Sequence, residues 1–367
     1  MKVRAAVLDS VGAPFQVQDL DLQPPQAGEV LVRVAAVGVC HSDWHLVTGD
    51  TKHPLPLVPG HEGAGYVEEV GEGVTGFDKG DLVALNWAPS CGTCFYCRHG
   101  RPCLCETYVG PIWKGTMLDG TTRYSRNGEP VYHYSALACF SERCVVPAPC
   151  CVKLDPTLHP HIAAVIGCAV TTGVGSVLKT ARIEAGCSVL VIGAGGVGLS
   201  TVMGAALAGA ATIIVADPHE SRRNAARSLG ATNALDAATR EEIARLTEGR
   251  GADYVFEAVG TPALQELAVE CVRPGGTVVF SGLSPVGSAT NIPGSRLVRE
   301  EKTVMGSYYG TADPAKDFPF YARHYDAGLL PLDRLVSHRY SLDQINEAYQ
   351  DMLDGTSLRG VVVFEDA

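Results

Sequence analysis

Five cysteines fall within fifteen positions in the stretch CGTCFYCRHGRPCLC, residues 91–105. The spacing C-x2-C-x2-C-x7-C selects Cys91, Cys94, Cys97 and Cys105 as four sulfurs on one lobe. Four thiolates satisfy a tetrahedral Zn²⁺ completely, so such a site ties a loop together and leaves no position for water or substrate. Clustered cysteines also hold iron–sulfur clusters, but this spacing fits ferredoxin patterns poorly. Cys103 is then the spare, too near Cys105 in sequence to share the metal easily.

A second set is scattered. Cys40 lies in GVCHSDWH, His61 and Glu62 in PGHEGAG, and Cys168 in VIGCAVTTG. Two sulfurs and an imidazole are a three-ligand set that leaves the fourth position of zinc open, as catalytic sites do. Each residue also has an ordinary use, since buried cysteines are mostly inert packing. Spacing alone does not bring such distant residues together.

The third feature is VLVIGAGGVG, which matches G-x-G-x-x-G at Gly193, Gly195 and Gly198, with Gly196 and Val197 between them. The three glycines allow a tight turn, close backbone approach to a pyrophosphate and close helix–sheet packing. Asp217 follows nineteen residues after Gly198 at the end of ATIIVADP. A carboxylate there accepts hydrogen bonds from the adenosine ribose and repels a 2′-phosphate, so NAD is expected over NADP. Arg222 and Arg223 lie close enough to keep that preference open.

These residues need elements to hold them. Residues 1–150 are rich in Gly, Pro and β-branched residues, and EVLVRVAAVGV and GAGYVEEVGEGV read as strands of an irregular β domain. HIAAVIGCAVTTGVGSVLKTARIEAG is helical in pattern. ATIIVADP, GADYVFEAVG and GGTVVFSG are short apolar strands separated by helical stretches, the pattern of a parallel, doubly wound sheet. The chain then returns to mixed character and ends in the strand RGVVVFE.

At 367 residues the chain is too long for one comfortable core, so two domains are expected. Apolar residues make up 46% and charged residues 19%, far from the disordered regime. A net charge of −11 argues against a nucleic-acid partner. No run reads as long enough to span a membrane, and Asp9 interrupts the N-terminal stretch too early for a signal peptide. Thirteen cysteines without such a signal point to reduced thiols and a cytoplasmic location.

GHEGAGYVEEVGEGV, the cysteine lobe, GAGGVG and their order resemble the zinc-dependent medium-chain alcohol dehydrogenases over nearly the whole chain. Residues 115–146 are similar to the long segment of that family's liver-type branch, related to glutathione-dependent formaldehyde dehydrogenase. The resemblance implies an α/β plus β fold. It comprises a GroES-like β-rich catalytic domain, 1–169 and 309–367, with an inserted Rossmann doubly wound parallel-sheet domain, 170–308, and a cleft between them.

Carried over residue by residue, it implies catalytic zinc on Cys40, His61 and Cys168, structural zinc on Cys91, Cys94, Cys97 and Cys105, and hence two zinc ions per chain. Glu62 stands behind the metal, Asp43 orients the ligand histidine, Ser42 hydrogen-bonds the substrate oxygen, and His45 ends a proton relay. His41, Val197, Asp217, Arg222 and Arg359 match cofactor contacts, with His41 where many relatives have arginine. Trp87 and Tyr134 match residues lining the substrate channel. The implied activity is hydride transfer between a primary alcohol, or aldehyde in reverse, and NAD, by a homodimer or homotetramer. The alternative is oxidation of a hydroxymethyl–thiol adduct. Against that alternative, Val109 stands where that branch has an arginine, and His45 where it usually has tyrosine. A non-catalytic zinc protein is the remaining reading, and no catalytic ligand is lost to support it.

Overall fold

The structure, a computed structural model, describes residues 1–364 and divides into two compact units. The first comprises Met1–Cys168, Asp313–Arg323 and the chain from Val336 on; the second comprises Ala169–Ala312 and His324–Leu335. The return to the first unit thus begins at Asp313 rather than at 309, and a short segment revisits the second unit before the chain comes back for good.

Two sheets build the first unit. The central strand of the larger one is Glu29–Gly38, whose sequence is apolar at nearly every position because the strand is covered on both faces. It pairs antiparallel with Gly63–Val70, Arg143–Pro147 and Gly360–Val363. Register matters more here than strand count. Val37 pairs with Gly63 and Gly38 with Val361, so the chain leaves this strand beside the residues that precede Gly63 and those that precede Val361. Gly38 donates its N–H to the Glu62 carbonyl at 2.8 Å, and Val39 donates to the Gly360 carbonyl at 2.9 Å. Gly38 is glycine for a reason of space: a β-carbon would lie 2.5 Å from the Glu62 carboxyl carbon. The smaller sheet, Lys2–Val7, Gln16–Leu22, Tyr124–Arg126, Glu129–His133 and Leu57–Val58, shares the apolar core.

The second unit holds six parallel strands in the order Asn233–Leu235, Thr212–Ala216, Ser188–Ile192, Ala252–Glu257, Val272–Phe280, Thr303–Gly306. Numbered along the chain this is 3-2-1-4-5-6, the doubly wound order of dinucleotide-binding domains. The strands run apolar because helices cover both faces, as the alternating sequence pattern predicts.

Pro160–Ala181 forms one continuous helix of 22 residues whose most apolar stretch has a mean hydropathy of 1.7. It is long and apolar enough to span a membrane, which the sequence reading did not anticipate, yet 89% of its apolar window is buried inside the protein. It is a core helix. Its Ile166–Val170 segment is wound as π-helix, a local widening frequent at functional sites, and Cys168 sits in it.

Candidate active site and metal centres

Cys40 lies two residues beyond the central strand, His61 precedes its neighbour, and Cys168 projects from the π-helical segment. Their ligand atoms all lie within 4.8 Å of one another, and all three residues are buried. Cys168 Sγ is 3.3 Å from His61 Nε2. The other ring nitrogen, Nδ1, faces Asp43 Oδ2 at 3.0 Å, and Asp43 Oδ1 accepts the Gly60 N–H at 2.8 Å. The carboxylate therefore commits Nδ1 and aims Nε2 at the thiols, the arrangement that fixes a metal-binding imidazole. Burial works against a charged His61, but the Asp43 carboxylate and then Cys40 outweigh it and raise its pKa to about 10. Cys40 is held well below the usual thiol range, through its bond with Cys168 first, against burial, with Arg359 and His61 adding to it. Thiolate sulfurs and an oriented imidazole nitrogen in one buried spot are a donor set that fits Zn²⁺.

Glu62, next to His61 in the chain, is fully buried and ion-paired with Arg359. The pairing follows from strand register, because Gly38 leaves the room that the carboxylate fills and Arg359 enters the Gly360–Val363 strand alongside. Arg359, expected to contact cofactor, is itself only 6% exposed.

The helix His41–Thr48 follows Cys40 directly. His41 is exposed at its first position, while Ser42 and His45 are half-buried and one turn apart. The Cys40 thiol lies 3.8 Å from Ser42 Oγ. Tyr134 donates its hydroxyl to the Ser42 carbonyl at 3.2 Å and meets the His61 ring edge-on at 5.5 Å. Trp87 meets the same ring edge-on at 6.4 Å. Both expected channel aromatics thus flank the buried imidazole.

The lobe is built differently. Cys91, Cys94, Cys97 and Cys105 bring their sulfurs within 4.8 Å of one another. Cys94 Sγ and Cys105 Sγ are 4.0 Å apart. Backbone N–H groups of Thr93 and Cys94 point at Cys91 Sγ, at 3.4 and 3.3 Å, and the Cys91 N–H points at Cys105 Sγ at 3.3 Å. Such donors favour thiolate: hydrogen bonds from Thr107 and Thr93 lower the Cys91 pKa to about 5. Burial and the neighbouring sulfurs push Cys97 up to about 12. One proton is thus the hardest to remove, and a divalent ion is what displaces it. Four sulfurs and no other ligand fit a closed zinc site. Cys103 is buried outside the group, as its spacing suggested.

In the second unit Gly193, at φ +90°, ends the Ser188–Ile192 strand, and Gly195 caps the helix Gly196–Leu207 whose first turn is Gly196, Val197 and Gly198. A β-carbon on Gly198 would collide with the Gly193 carbonyl, so the third glycine is required by close approach. Asp217, 4% exposed, accepts the Ala194 N–H on Oδ2 at 2.8 Å and the His219 N–H on Oδ1 at 2.9 Å. The carboxylate is locked to the glycine turn. Arg222 approaches it to 4.0 Å. A helix N-terminus beside a fixed carboxylate suits a dinucleotide lacking a 2′-phosphate.

Residues 26–156 match the family model described as alcohol dehydrogenase GroES-like domain, and residues 196–324 match the one described as zinc-binding dehydrogenase. The chain is 42% identical to an NDMA-dependent alcohol dehydrogenase of Amycolatopsis methanolica, covering 99% of both chains. The chain belongs to the zinc-dependent medium-chain alcohol dehydrogenases. An S-(hydroxymethyl)glutathione dehydrogenase of Synechocystis is 39% identical over 99% of this chain and 100% of its own. The crystal structure of benzyl alcohol dehydrogenase from Acinetobacter calcoaceticus superposes with a TM-score of 0.94 at 30% identity, covering 99% of both chains.

Two further residues near this dehydrogenase's candidate site escaped the sequence reading. Tyr349, 1% exposed in the helix Ile345–Leu353, has its ring 5.8 Å from Trp44, and burial, then the nearby Asp43 carboxylate, raises its pKa. His53 faces Tyr134 edge-on at 5.7 Å, with its ring nitrogens beside the Pro54 and Ile112 carbonyls at 3.2 and 3.3 Å. Nothing in INEAYQDML marks its tyrosine as more than an amphipathic-helix core residue. HPLP likewise reads as a turn.

Proposed function

We propose that the protein oxidises primary alcohols to aldehydes with NAD, and runs the reverse, at the site formed by Cys40, His61 and Cys168. The observation that carries this is the convergence of those three residues from distant segments into one buried donor set with an Asp43-oriented imidazole. Zinc held there acts as a Lewis acid that raises the acidity of an alcohol O–H and polarises an aldehyde carbonyl. The chain's own groups supply the rest. Ser42 Oγ would accept the alcohol proton as it releases its own hydroxyl proton into a relay, and His45, one turn along the same helix and half-exposed, would end that relay and pass a proton to solvent. Asp43 keeps His61 in one orientation throughout. Trp87 and Tyr134 present apolar ring surface to the alcohol's carbon skeleton. Asp217 and the glycine turn bind the adenosine ribose and pyrophosphate; His41, Val197, Arg222 and Arg359 complete the cofactor contacts.

Aromatic walls support primary alcohols, benzylic ones included, over branched secondary ones. Alcohols of graded bulk, assayed by NADH absorbance with and without NDMA, test this: a preference for secondary alcohols would overturn it. The thiol-adduct reading keeps the support of the 39% relative, but Val109 and His45 speak against it. A large gain in formaldehyde oxidation on adding glutathione would reverse that order.

A homodimer or homotetramer is supported by the Thr303–Gly306 strand, which ends its sheet with one neighbour. Cytoplasmic location is supported by thirteen cysteines that are all free. Light scattering and fractionation check these two points. The domain division proposed is a catalytic domain and a cofactor domain corresponding to the two compact units.

A further inference from the structure

The sheet order 3-2-1-4-5-6 reverses direction between Ser188–Ile192 and Ala252–Glu257, and ligands of such sheets bind outside the strand ends at that reversal. Two residues face each other across it in register: Ile192, which leads into Gly193, and Glu257. A glutamate is an unexpected neighbour for a site that takes a pyrophosphate. Glu257 is fully buried, and burial raises its pKa against the pull of the donors around it.

Its bonds explain why it is there. Oε1 accepts the N–H groups of both Val259 and Gly260, at 2.8 and 2.7 Å, which shapes the turn after its own strand. Its backbone carbonyl accepts from Ser281 and Gly282, at 2.9 and 3.0 Å, which fastens the next strand's loop. The following residue, Ala258, donates to the Ile192 carbonyl at 3.0 Å, tying the turn to the glycine strand. Gly260 has φ +92°, and a β-carbon on Gly282 would collide with the Gly260 nitrogen, so the two loops touch backbone to backbone. Val259 completes the chain of contacts. It is 44% exposed, yet its Cγ2 fills the place where a β-carbon on Gly193 would stand, 2.5 Å away.

We propose that Glu257 is a positioning residue for the dinucleotide: by accepting the Val259 and Gly260 N–H groups it presses Val259 onto Gly193 and so sets the shape of the glycine turn. The proposal rests on the reading of that turn as the NAD site. Glu257 touches neither alcohol nor metal ligands, so its influence falls on cofactor affinity. Leaving the buried Gly260 N–H and the partly buried Val259 N–H without an acceptor disfavours the turn seen here.

NADH fluorescence titration of the zinc-loaded protein tests this. Glu257→Ala should weaken NADH binding about 10-fold and raise the KM for NAD but not the KM for alcohol at saturating NAD. Glu257→Gln, whose carboxamide oxygen can accept the same two N–H groups, should restore the affinity to within about threefold. Val259→Ala, at an exposed position that does not threaten folding, should weaken NADH in the same sense by a few-fold. Lowered thermal stability in Glu257→Ala with unchanged NADH affinity would make the residue merely structural and overturn the proposal. If Glu257→Ala does not fold, unchanged NADH affinity in Val259→Ala overturns it equally. Wild-type protein that binds no NADH would instead overturn the cofactor reading itself, and this proposal with it.

Discussion

The two sulfur-rich sites use the same donors in opposite ways. In the lobe, residues 91–105 are mostly half-buried or exposed and carry little apolar core of their own; Phe95 is 61% exposed. Sulfurs and backbone N–H groups pointing at one another are what give it shape. At the Cys40–His61–Cys168 site the protein is already closed around the ligands by strand pairing, the Glu62–Arg359 ion pair and the Asp43 bonds. In the lobe the metal makes the structure; at the open site the structure makes the metal centre. Loss of either ion should therefore produce opposite phenotypes.

The largest effect separates them most cleanly. Cys40→Ser should abolish turnover, by about 10³-fold or more, given that a Lewis acid supplies several kcal/mol of transition-state stabilisation. Metal content should fall from two zinc to one, with thermal stability little changed. Retained activity at one zinc per chain would sink the catalytic assignment. Cys94→Ser should do the reverse. Zinc again falls to one, but the lobe loses its shape and stability drops by several kcal/mol, read as a lower Tm and faster proteolysis within residues 91–105. Equal Tm losses in the two variants would erase the distinction.

A smaller change probes the open site's pre-organisation. In Asp43→Asn the amide keeps an acceptor for Gly60 but no longer holds the Nδ1 proton of His61. Zinc affinity and kcat should fall about 10- to 100-fold, the usual cost of losing a ligand's supporting carboxylate. Competition with a chelator, alongside kcat, measures both. Unchanged affinity would mean that the strands alone orient His61.

The same contrast governs how much could be read in advance. The lobe's ligands lie within fifteen residues, and their spacing names the group without further help. So does the glycine turn, whose strand, turn and helix are contiguous and whose Asp217 lies one strand away. Cys40, His61 and Cys168 offered no such local signal. Their meeting depends on the pairing of Val37 with Gly63 and on the π-helical segment carrying Cys168, and neither is written in spacing. Family resemblance, not residue chemistry, named them. Tyr349 and His53 were missed because their surroundings come from other segments. The helix over residues 160–181 was legible as a helix, but its apolar length was not, because glycines, threonines and a lysine interrupt the apolar run.

The smallest effect concerns what stands behind the open site's aromatic wall. His133 precedes Tyr134, is fully buried, and accepts the Arg123 backbone N–H on Nε2 at 2.9 Å. Arg123 itself, 1% exposed, forms paired bonds to Glu29 at 2.8 and 2.5 Å and reaches Asp119 at 2.8 Å. Burial, then the charges of Arg123 and His53, lowers the His133 pKa to about 3 from the 6.5 of an ordinary histidine. The folded protein thus refuses a proton that the unfolded chain accepts. Its contribution to stability is complete above pH 6.5 and is lost as pH falls from there toward 3, at about 1.4 kcal/mol per pH unit. Between pH 7 and pH 5 that amounts to about 2 kcal/mol. His133→Gln, whose side-chain oxygen reaches about where Nε2 stands, keeps an acceptor for the Arg123 N–H but cannot titrate, so its urea-unfolding free energy should fall less over that interval, by about this amount. An identical pH slope in the variant would show that His133 does not stay neutral in the fold.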